Sequence, residues 1–215
     1  MITFINREHA GYLLYEKLRD ENAKADVVVA LPRGGIPVGA MIARKMKLPL
    51  KLAFIRKIGH PVNPEYAIGA ISETDLILKD ATHYGTGYLK KEIIKERERI
   101  SEMQRIFNNG YNKFNIIGKH ILLADDGIAT GTCMDLAVKE LKENGASSIR
   151  IVTPVCPYNS YKKLVKQVDA ITCLLVTQNF LGIGSYYDDF TQLTDEMVIN
   201  ILENKKLPEK AALKD

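Results

Sequence analysis

The chain has few cysteines and no apolar run long enough to cross a membrane. Its 215 residues include three cysteines, Cys133, Cys156 and Cys173, which are widely spaced and form no CxxC pair. This spacing offers no zinc-ligand group and is typical of a reducing compartment. No opening stretch combines basic residues, a long apolar core and a small-residue cleavage site. We therefore expect a cytoplasmic protein without membrane segments.

Two common phosphate-binding motifs are also missing. The GxxxxGK[ST] loop requires a lysine that is absent here, and Gly127 with Gly131 does not have the GxGxxG spacing of a dinucleotide-binding fold. The sequence therefore excludes both of those nucleotide-binding classes.

Composition predicts one domain and a small anionic ligand. The chain is 46% hydrophobic, which at 215 residues is enough for one substantial core. We expect a single domain over residues 1–204 and a flexible tail over residues 205–215, where large apolar side chains are scarce. The net charge of +4 is spread along the chain, which suits an anionic small molecule better than a nucleic acid.

The most informative stretch is an apolar strand that ends in two acids. Residues 121–124 are consecutively apolar, a pattern typical of a strand that is buried on both faces of a parallel sheet. Asp125 and Asp126 follow at the carboxyl end, where such sheets bind their ligands. Because an unpaired buried carboxylate costs several kcal/mol, we expect both acids to face a cation, hydroxyl donors or water.

A loop of glycine and threonine follows the acids and leads into a helix. Thr130-Gly131-Thr132 offers two hydroxyls and a glycine, and residues 133–144 are predicted to form a helix that Gly145 ends. Free N–H groups at that helix start predict a phosphate site, and they would lower the pKa of the Cys133 thiol. Acids beside a phosphate site indicate a sugar-phosphate ligand.

This stretch resembles the phosphoribosyl pyrophosphate (PRPP) motif of type I phosphoribosyltransferases, in which an apolar strand and two acids precede a loop of threonine and glycine. The resemblance implies that Asp125 and Asp126 hold the ribose hydroxyls, directly or around Mg²⁺. It also implies that a loop wraps the 5-phosphate, and that loop consists of Gly127, Ile128, Ala129, Thr130, Gly131 and Thr132. The family fold is a parallel twisted α/β sheet flanked by helices, and the alternation of predicted strands and helices along this chain indicates the same fold class.

Pro32-Arg33-Gly34-Gly35 resembles the family's pyrophosphate loop. The segment lies between a predicted strand, residues 26–31, and a predicted helix, residues 36–47. Its glycines expose backbone N–H groups, and Arg33 offers a bidentate partner for phosphate oxygens. Taken alone, the segment fits an ordinary turn equally well, because Gly-Gly turns are common.

Residues 56–66 resemble the family's flexible catalytic loop. They follow a predicted strand, residues 50–55, and precede a predicted hairpin, residues 67–79. In that family, basic side chains close over the pyrophosphate as it leaves and the ribose C1 becomes cationic. Arg56 and Lys57 are therefore the catalytic candidates, and His60 and Glu65 are weaker ones.

Residues 177–192 stand where the family has a hood over the base. The resemblance implies that Phe180 stacks on the acceptor and that Asp188 meets metal-bound pyrophosphate. Asp125, Asp126 and Asp188 would then be the acids at the Mg²⁺. Core packing explains Phe180 equally well, since buried aromatic residues are common in any domain.

Ala129 departs from the hypoxanthine-guanine enzymes of the family, which place an aspartate just before the Thr-Gly pair to exchange a proton with the purine. Adenine-type enzymes tolerate a small residue there, but residues 182–190 do not resemble theirs. The acceptor therefore stays open between a nucleobase and another amine.

Residues 85–108 are predicted to include a long amphipathic helix, inserted between the catalytic-loop segment and the motif strand. Apolar residues recur at helical spacing in Leu89, Ile93, Ile100, Met103 and Phe107. Basic and acidic residues nearly balance, so a solvated face is favoured over a nucleic-acid-binding face. The insertion would pack on the domain or on a partner subunit, and the second case would make a homodimer.

Two function classes fit these features. The favoured one is a Mg²⁺-dependent enzyme that moves 5-phosphoribosyl from PRPP to a nitrogen nucleophile, with a nucleobase as the first choice of small acceptor, and releases pyrophosphate. The alternative is a regulator that binds PRPP without catalysis and binds RNA or a protein through the charged helix. A sugar-phosphate phosphatase is disfavoured, because it needs a second acid where Gly127 stands.

Overall fold

The computed structural model of the protein describes residues 3–63, 66–79, 83–107 and 115–203. Strands and helices alternate through these residues, except over residues 50–78, which hold four strands in succession. The strands are β1 (Val27–Ala30), β2 (Leu50–Leu52), β3 (Arg56–Gly59), β4 (Ala67–Ile71), β5 (Leu76–Leu78), β6 (His120–Ala124), β7 (Ser148–Pro157) and β8 (Ala170–Thr177). The helices are α1 (Arg7–Asp20), α2 (Gly35–Met46), α3 (Thr86–Phe107), α4 (Thr132–Glu143), α5 (Tyr158–Leu164) and α6 (Asp195–Leu202), with a 3₁₀ turn at Ile183–Tyr186.

Five of the strands form a parallel sheet in the order β2-β1-β6-β7-β8. Each neighbouring pair runs parallel, so the predicted parallel α/β fold is confirmed. β6 lies at the centre of the sheet, between β1 and β7. The residues that follow β6 therefore leave the sheet at the middle of its carboxyl edge, where sheets of this type bind ligands.

The parallel sheet is buried on both faces. Val27 and Val29 of β1 pack in the cluster that includes α4, whereas Val28 packs in the cluster that includes α1 and α2. Two-sided burial explains the continuous apolar runs of β1 and β6, because neither face of these strands meets water. For the same reason the sequence predicted both strands closely.

A second sheet, in the order β3-β4-β5, is antiparallel and packs against α3. Ile58 of β3 and Ile68 of β4 lie in one buried cluster with Ile100 and Phe107 of α3. The predicted hairpin and the predicted long helix are both present. No helix in the described residues is at once long enough and apolar enough to span a membrane.

The prediction that residues 56–66 form a loop is wrong in its first part. Arg56–Gly59 form β3, which pairs with β4, and the preceding strand β2 ends at Leu52 instead of residue 55. The reason is Ile58, which is fully buried against α3 and so holds this segment in the second sheet. Glu65 and residues 204–215, with the predicted tail, lie outside the described residues.

Candidate functional site

The two acids of the motif lie just beyond the end of the central strand β6. The Asp125 N–H donates to the Val152 carbonyl of β7 at 3.2 Å, so the backbone is still held by the sheet at this point. Asp126 is buried and Asp125 is half-buried. Adjacent in sequence, the two carboxylates have different surroundings.

Asp126 is paired with Arg7, the first residue of α1. Arg7 Nε donates to Asp126 Oδ2 at 2.7 Å, and only 11% and 10% of the two side chains are exposed. Arg7 Nη1 also donates to the Thr191 carbonyl at 2.9 Å, and its guanidinium lies 3.8 Å from the centroid of the Phe190 ring. The Tyr187 hydroxyl donates to the Asp126 carbonyl at 2.6 Å. Asp126 therefore joins the motif to α1 and to the hood.

Asp125 has no such cation. Its Oδ1 accepts the Asp126 N–H at 2.9 Å, and within the described residues it makes no ion pair. Burial raises the pKa of Asp125 well above its usual range, and the charge of Asp126 adds to the rise. Burial also raises the pKa of Asp126, but there Arg7 opposes the change. Asp125 is thus the acid that would gain most from a bound cation or hydroxyl donors.

The loop after the acids forms the wall of a cleft of about 220 Å³. Residues 127–132 line this cleft together with Lys57, Asp125 and Ile183. Gly131 has a φ of 74°, a left-handed conformation that favours glycine, and α4 begins at the next residue. The Thr130 and Thr132 hydroxyl oxygens lie 3.1 Å apart. The loop thus presents hydroxyls and a helix start to the cleft, as an anion requires.

The predicted pyrophosphate loop lies directly against the acids. A Cβ atom on Gly34 would clash with the Asp126 carboxylate, and one on Gly35 would lie 2.7 Å from the Ala124 carbonyl oxygen. Only glycine allows so close an approach at either position. The peptide bond between Pro32 and Arg33 is cis. Two segments that are far apart in sequence therefore meet at the end of β6, as the resemblance implied.

Residues 6–191 match a family model described as the phosphoribosyl transferase domain. The chain belongs to this family. The match spans the N-terminal helix, the motif and the hood, which are the parts that meet around Asp126. The family predicted from the motif is confirmed.

Relatives of this phosphoribosyl transferase domain differ in length. A Mycobacterium tuberculosis protein named "Putative phosphoribosyl transferase" is 33% identical over 209 residues, which are 94% of this chain and 47% of that protein. The chain thus spans about half the length of the curated relatives it matches. An amidophosphoribosyltransferase of Staphylococcus epidermidis is 24% identical over 149 residues, which are 68% of this chain and 24% of that protein.

A solved structure matches nearly end to end. The crystal structure of TT1426 from Thermus thermophilus is 33% identical in sequence and has a TM-score of 0.77. The match covers 94% of this chain and 99% of that one. The two chains therefore share one fold over nearly the whole of both.

Arg33, in the pyrophosphate-like loop of this phosphoribosyl transferase domain, is directed at α6. Its Nη2 lies 2.7 Å from Asp195 Oδ1, and both side chains are partly exposed. Its Nε is buried without a hydrogen-bond partner among the described residues. Buried donors of this kind are rare, so the guanidinium keeps capacity for a further acceptor such as a phosphate oxygen.

Arg56 and Lys57 lie on opposite sides of β3, because neighbouring residues of a strand alternate. Lys57 lines the cleft. Arg56 Nε instead donates to Glu96 Oε2 of α3 at 2.5 Å, and the Arg99 Nη1 of α3 donates to Glu96 Oε1 at 2.5 Å. The structure thus brings one of the two predicted catalytic cations to the cleft, and it holds the other against α3. His60 accepts the backbone N–H groups of residues 62 and 63 through Nδ1.

The predicted hood residues lie outside the cleft lining. Phe180 is half-buried and stacks on Tyr186, with ring centroids 5.9 Å apart. Asp188 is exposed, and its N–H donates to the Phe4 carbonyl at 2.8 Å. Across the described residues, no three His, Cys, Asp or Glu side chains form a metal-binding group, so the predicted set of Asp125, Asp126 and Asp188 is not assembled. The hood approaches the cleft through Ile183, which the sequence did not single out.

The expectation for Cys133 is wrong. Burial raises the pKa of its thiol to about 12, and the charge of Asp125 acts in the same direction. The opposing charges of Arg56 and Lys57 are weaker than burial at this position. The helix start therefore does not create a reactive thiolate.

Two basic residues of the site, Arg7 and Lys79, were missed from the sequence. Arg7 lies 119 positions before the acid that it pairs with. Lys79 follows β5, and its Nζ donates to the Thr132 hydroxyl oxygen at 2.7 Å. Neither residue stands in a recognisable local pattern, and both reach the site only through the tertiary fold.

Proposed function

We propose that this chain transfers 5-phosphoribosyl from PRPP to a nitrogen nucleophile and releases pyrophosphate. The observation that carries the proposal is that two phosphate-binding candidates both adjoin the acids after β6. Gly34 and Gly35 lie against the acids after β6, and the threonine loop begins directly after those acids. PRPP has a 5-phosphate and a pyrophosphate on either side of a ribose ring, so it needs two phosphate sites beside a site for the ribose hydroxyls.

Each element then has a role in the reaction. The threonine loop would hold the 5-phosphate, Asp125 the ribose hydroxyls, and Arg33 with the Gly34 and Gly35 N–H groups the pyrophosphate. The nitrogen lone pair forms a bond to ribose C1 while the C1–O bond breaks, and the electron pair leaves with pyrophosphate. Lys57 would stabilise the negative charge that develops on that leaving group.

We propose that the site binds Mg²⁺, and the chemistry of the Asp125 carboxylate fits this ion. Asp125 is half-buried, makes no ion pair in the described residues and has a raised pKa, so a cation at its oxygens would favour the charged carboxylate. Carboxylate and hydroxyl oxygens are the ligands that Mg²⁺ prefers, and it commonly binds through one or two carboxylates and substrate phosphates. When bound, Mg²⁺ would neutralise charge on the pyrophosphate.

A nucleobase is the first acceptor to test, and another amine is the second. Ala129 provides no acid or base beside the cleft, so the acceptor nitrogen cannot lose its proton to this loop position. One relative is an amidophosphoribosyltransferase, which keeps small amines within the range of acceptors.

A regulator that binds PRPP without catalysis is the second candidate. The observation in its favour is Arg56, because the guanidinium predicted to act on the leaving group is held by Glu96. The charged helix α3, which holds it, would then be the part that responds to a partner.

Pyrophosphate release distinguishes these two functions. The protein is incubated with PRPP, Mg²⁺ and a panel of purines, pyrimidines and small amines, and PRPP binding is measured by calorimetry. We expect release with at least one acceptor, and we expect Asp125→Asn to weaken PRPP binding about tenfold or more. Asp20→Asn, an exposed acid at the end of α1, is the matched control and should bind normally. Binding without release for any acceptor would replace the enzyme with the regulator, and no binding would exclude both.

A further inference from the structure

The threonine loop receives a cation from a separate part of the chain. Lys79 directly follows β5, where its backbone N–H donates to the Ile68 carbonyl at 2.7 Å and so fixes the start of the side chain. From there Nζ reaches the Thr132 hydroxyl oxygen at 2.7 Å. The antiparallel sheet thus delivers a positive charge to the first residue of α4.

This contact makes the hydroxyls of the loop into donors. An ammonium group can only donate, so the Thr132 oxygen accepts from Lys79 and keeps its own hydrogen for another acceptor. Thr130 and Thr132 are 3.1 Å apart, and either one can donate to the other. With the N–H groups at the start of α4, the loop has several donors and one full positive charge, a set that suits an anion with several oxygens.

The charge of Asp135 acts on Lys79 but does not pair with it. Within the described residues Lys79 makes no ion pair, and the nearby Asp135 is taken by Lys163 and Gln167. Burial and the charge of Lys163 lower the pKa of Lys79. A bound dianion would offset both effects, because it would add its negative charge to that of Asp135.

We propose that Lys79 is a further residue of the site for the 5-phosphate and supplies the positive charge of that site. This inference rests on the proposed function for the identity of the sugar, and it adds a specificity-determining residue from outside the threonine loop. A ribose derivative with a free 5-hydroxyl leaves Lys79 without a counter-ion and is rejected.

Calorimetry with ribose 5-phosphate and with ribose tests the proposal without any transfer reaction. Lys79→Met should weaken ribose 5-phosphate binding about tenfold or more, the effect expected for one charge-assisted hydrogen bond. Lys79→Arg should restore most of the affinity. Lys162→Met is the matched control, since it removes an exposed charge of α5 that neighbours Lys163 in the sequence, and it should bind like the unmodified protein.

Lys79→Gln separates recognition from a structural role. Glutamine removes the charge and keeps N–H donors on a side chain that is one bond shorter than lysine. We expect Lys79→Gln to melt within about two degrees of the unmodified protein and to bind ribose 5-phosphate as weakly as Lys79→Met. Affinity within about twofold of the unmodified protein in either neutral variant overturns the proposal.

The outcome is independent of whether transfer occurs. If pyrophosphate is released with none of the acceptors but the neutral variants bind ribose 5-phosphate weakly, the role of Lys79 is supported and the enzyme function is refuted. If transfer occurs and Lys79→Met raises the KM for PRPP with kcat unchanged, both stand. If transfer occurs with an unchanged KM in Lys79→Met, the proposed function stands and the role of Lys79 is refuted.

Discussion

The two sheets contribute opposite charges to the cleft. The parallel sheet supplies the acids after β6, the threonine loop and the glycines after β1, all of which leave strands at its carboxyl edge. The antiparallel sheet supplies cations, Lys57 in the cleft lining and Lys79 from the end of β5 against Thr132 of that lining. In the proposed function hydroxyl recognition comes from the first sheet, and charge neutralisation is shared between Arg33 after β1 and the two lysines of the second sheet.

The residues from the two sheets should also respond differently to substitution. Residues at the carboxyl edge are held by β1, β6 and β7 at the centre of a sheet that is buried on both faces. Lys57 and Lys79 are half-buried, and the three-stranded sheet that positions them packs on α3 through Ile58 and Ile68 and on the cluster of α4 through Ala70. Substitution of Asp126, which is buried and paired with Arg7, should therefore affect stability as well as binding, whereas substitution of Lys57 or Lys79 should affect mainly binding and rate.

The largest effect is expected at the edge of the parallel sheet. Asp126→Asn leaves the buried guanidinium of Arg7 without its counter-ion and should reduce the free energy of unfolding by about 3–5 kcal/mol. Chemical denaturation measures the loss. Asp20→Asn, which breaks an exposed pair with Arg19, should cost less than about 1 kcal/mol.

A double-mutant cycle with Arg7→Met shows whether the loss comes from this pair. The double variant should be more stable than the sum of the two single losses predicts, because neither charge is then left buried alone. Additive losses would mean that Asp126 does not depend on Arg7, and the anchoring role of Asp126 would be wrong.

The second prediction concerns the two faces of β3. Lys57→Met should lower the rate of pyrophosphate release about a hundredfold with little change in stability, as expected for a group that stabilises charge on a leaving group. Arg56→Met should leave most of the rate and reduce stability instead, since Arg56 contacts Glu96. Steady-state kinetics and thermal melting on both variants provide the comparison. Equal losses of rate in the two variants would show that both cations act on the leaving group.

The comparison of the two sheets also explains what the sequence could predict. The strand at residues 121–124, the acids and the threonine loop are contiguous, and two-sided burial gives the strand a continuous apolar pattern, so the place of these residues in the fold could be predicted from the sequence. The helices α2, α3 and α4 were predicted within a few residues for a related reason, since their apolar faces repeat at the helical period.

The antiparallel side could not be predicted in the same way. Arg56 and Lys57 are equivalent basic residues in the sequence, and only the pairing of β3 with β4 decides which one faces the cleft. Lys79 and Thr132 are 53 positions apart, and no local pattern indicates that they meet. The raised pKa of Cys133 could not be predicted either, because the burial that causes it depends on residues of other elements that pack against it.

The third prediction concerns the support of the second sheet. The Glu96 side chain is only 3% exposed, and its two oxygens accept from Arg56 and Arg99. Glu96→Gln should reduce the free energy of unfolding by about 2 kcal/mol, because two guanidinium groups lose a charged acceptor. Glu92→Gln, one helical turn earlier and paired with Lys95 at the surface, should cost less than about 1 kcal/mol. Equal losses would mean that α3 is not held through Glu96.

The smallest expected effect is a gain in stability in the variant Asp125→Asn. Burial and Asp126 raise the pKa of Asp125 in the folded protein, so its proton is held to a higher pH than in the unfolded chain. Stability is therefore lost as the pH rises from about 4 through the folded pKa, and an asparagine that does not titrate avoids this loss. Asp125→Asn should be more stable than the unmodified protein at about pH 7.5, on the order of 1 kcal/mol, and the difference should close toward pH 4.

Thermal melting across this pH range, without ligand, measures the gain at Asp125. Asp126→Asn provides the contrast, because it should be less stable than the unmodified protein at about pH 7.5, where its partner Arg7 is charged. A gain of stability in Asp125→Asn with a loss in Asp126→Asn would show that the unfavourably buried charge is that of Asp125. A ligand in the cleft can stabilise that charge. A loss of stability in Asp125→Asn at that pH would instead mean that both acids hold the fold, and the division between an anchoring acid and a ligand-binding acid would not stand.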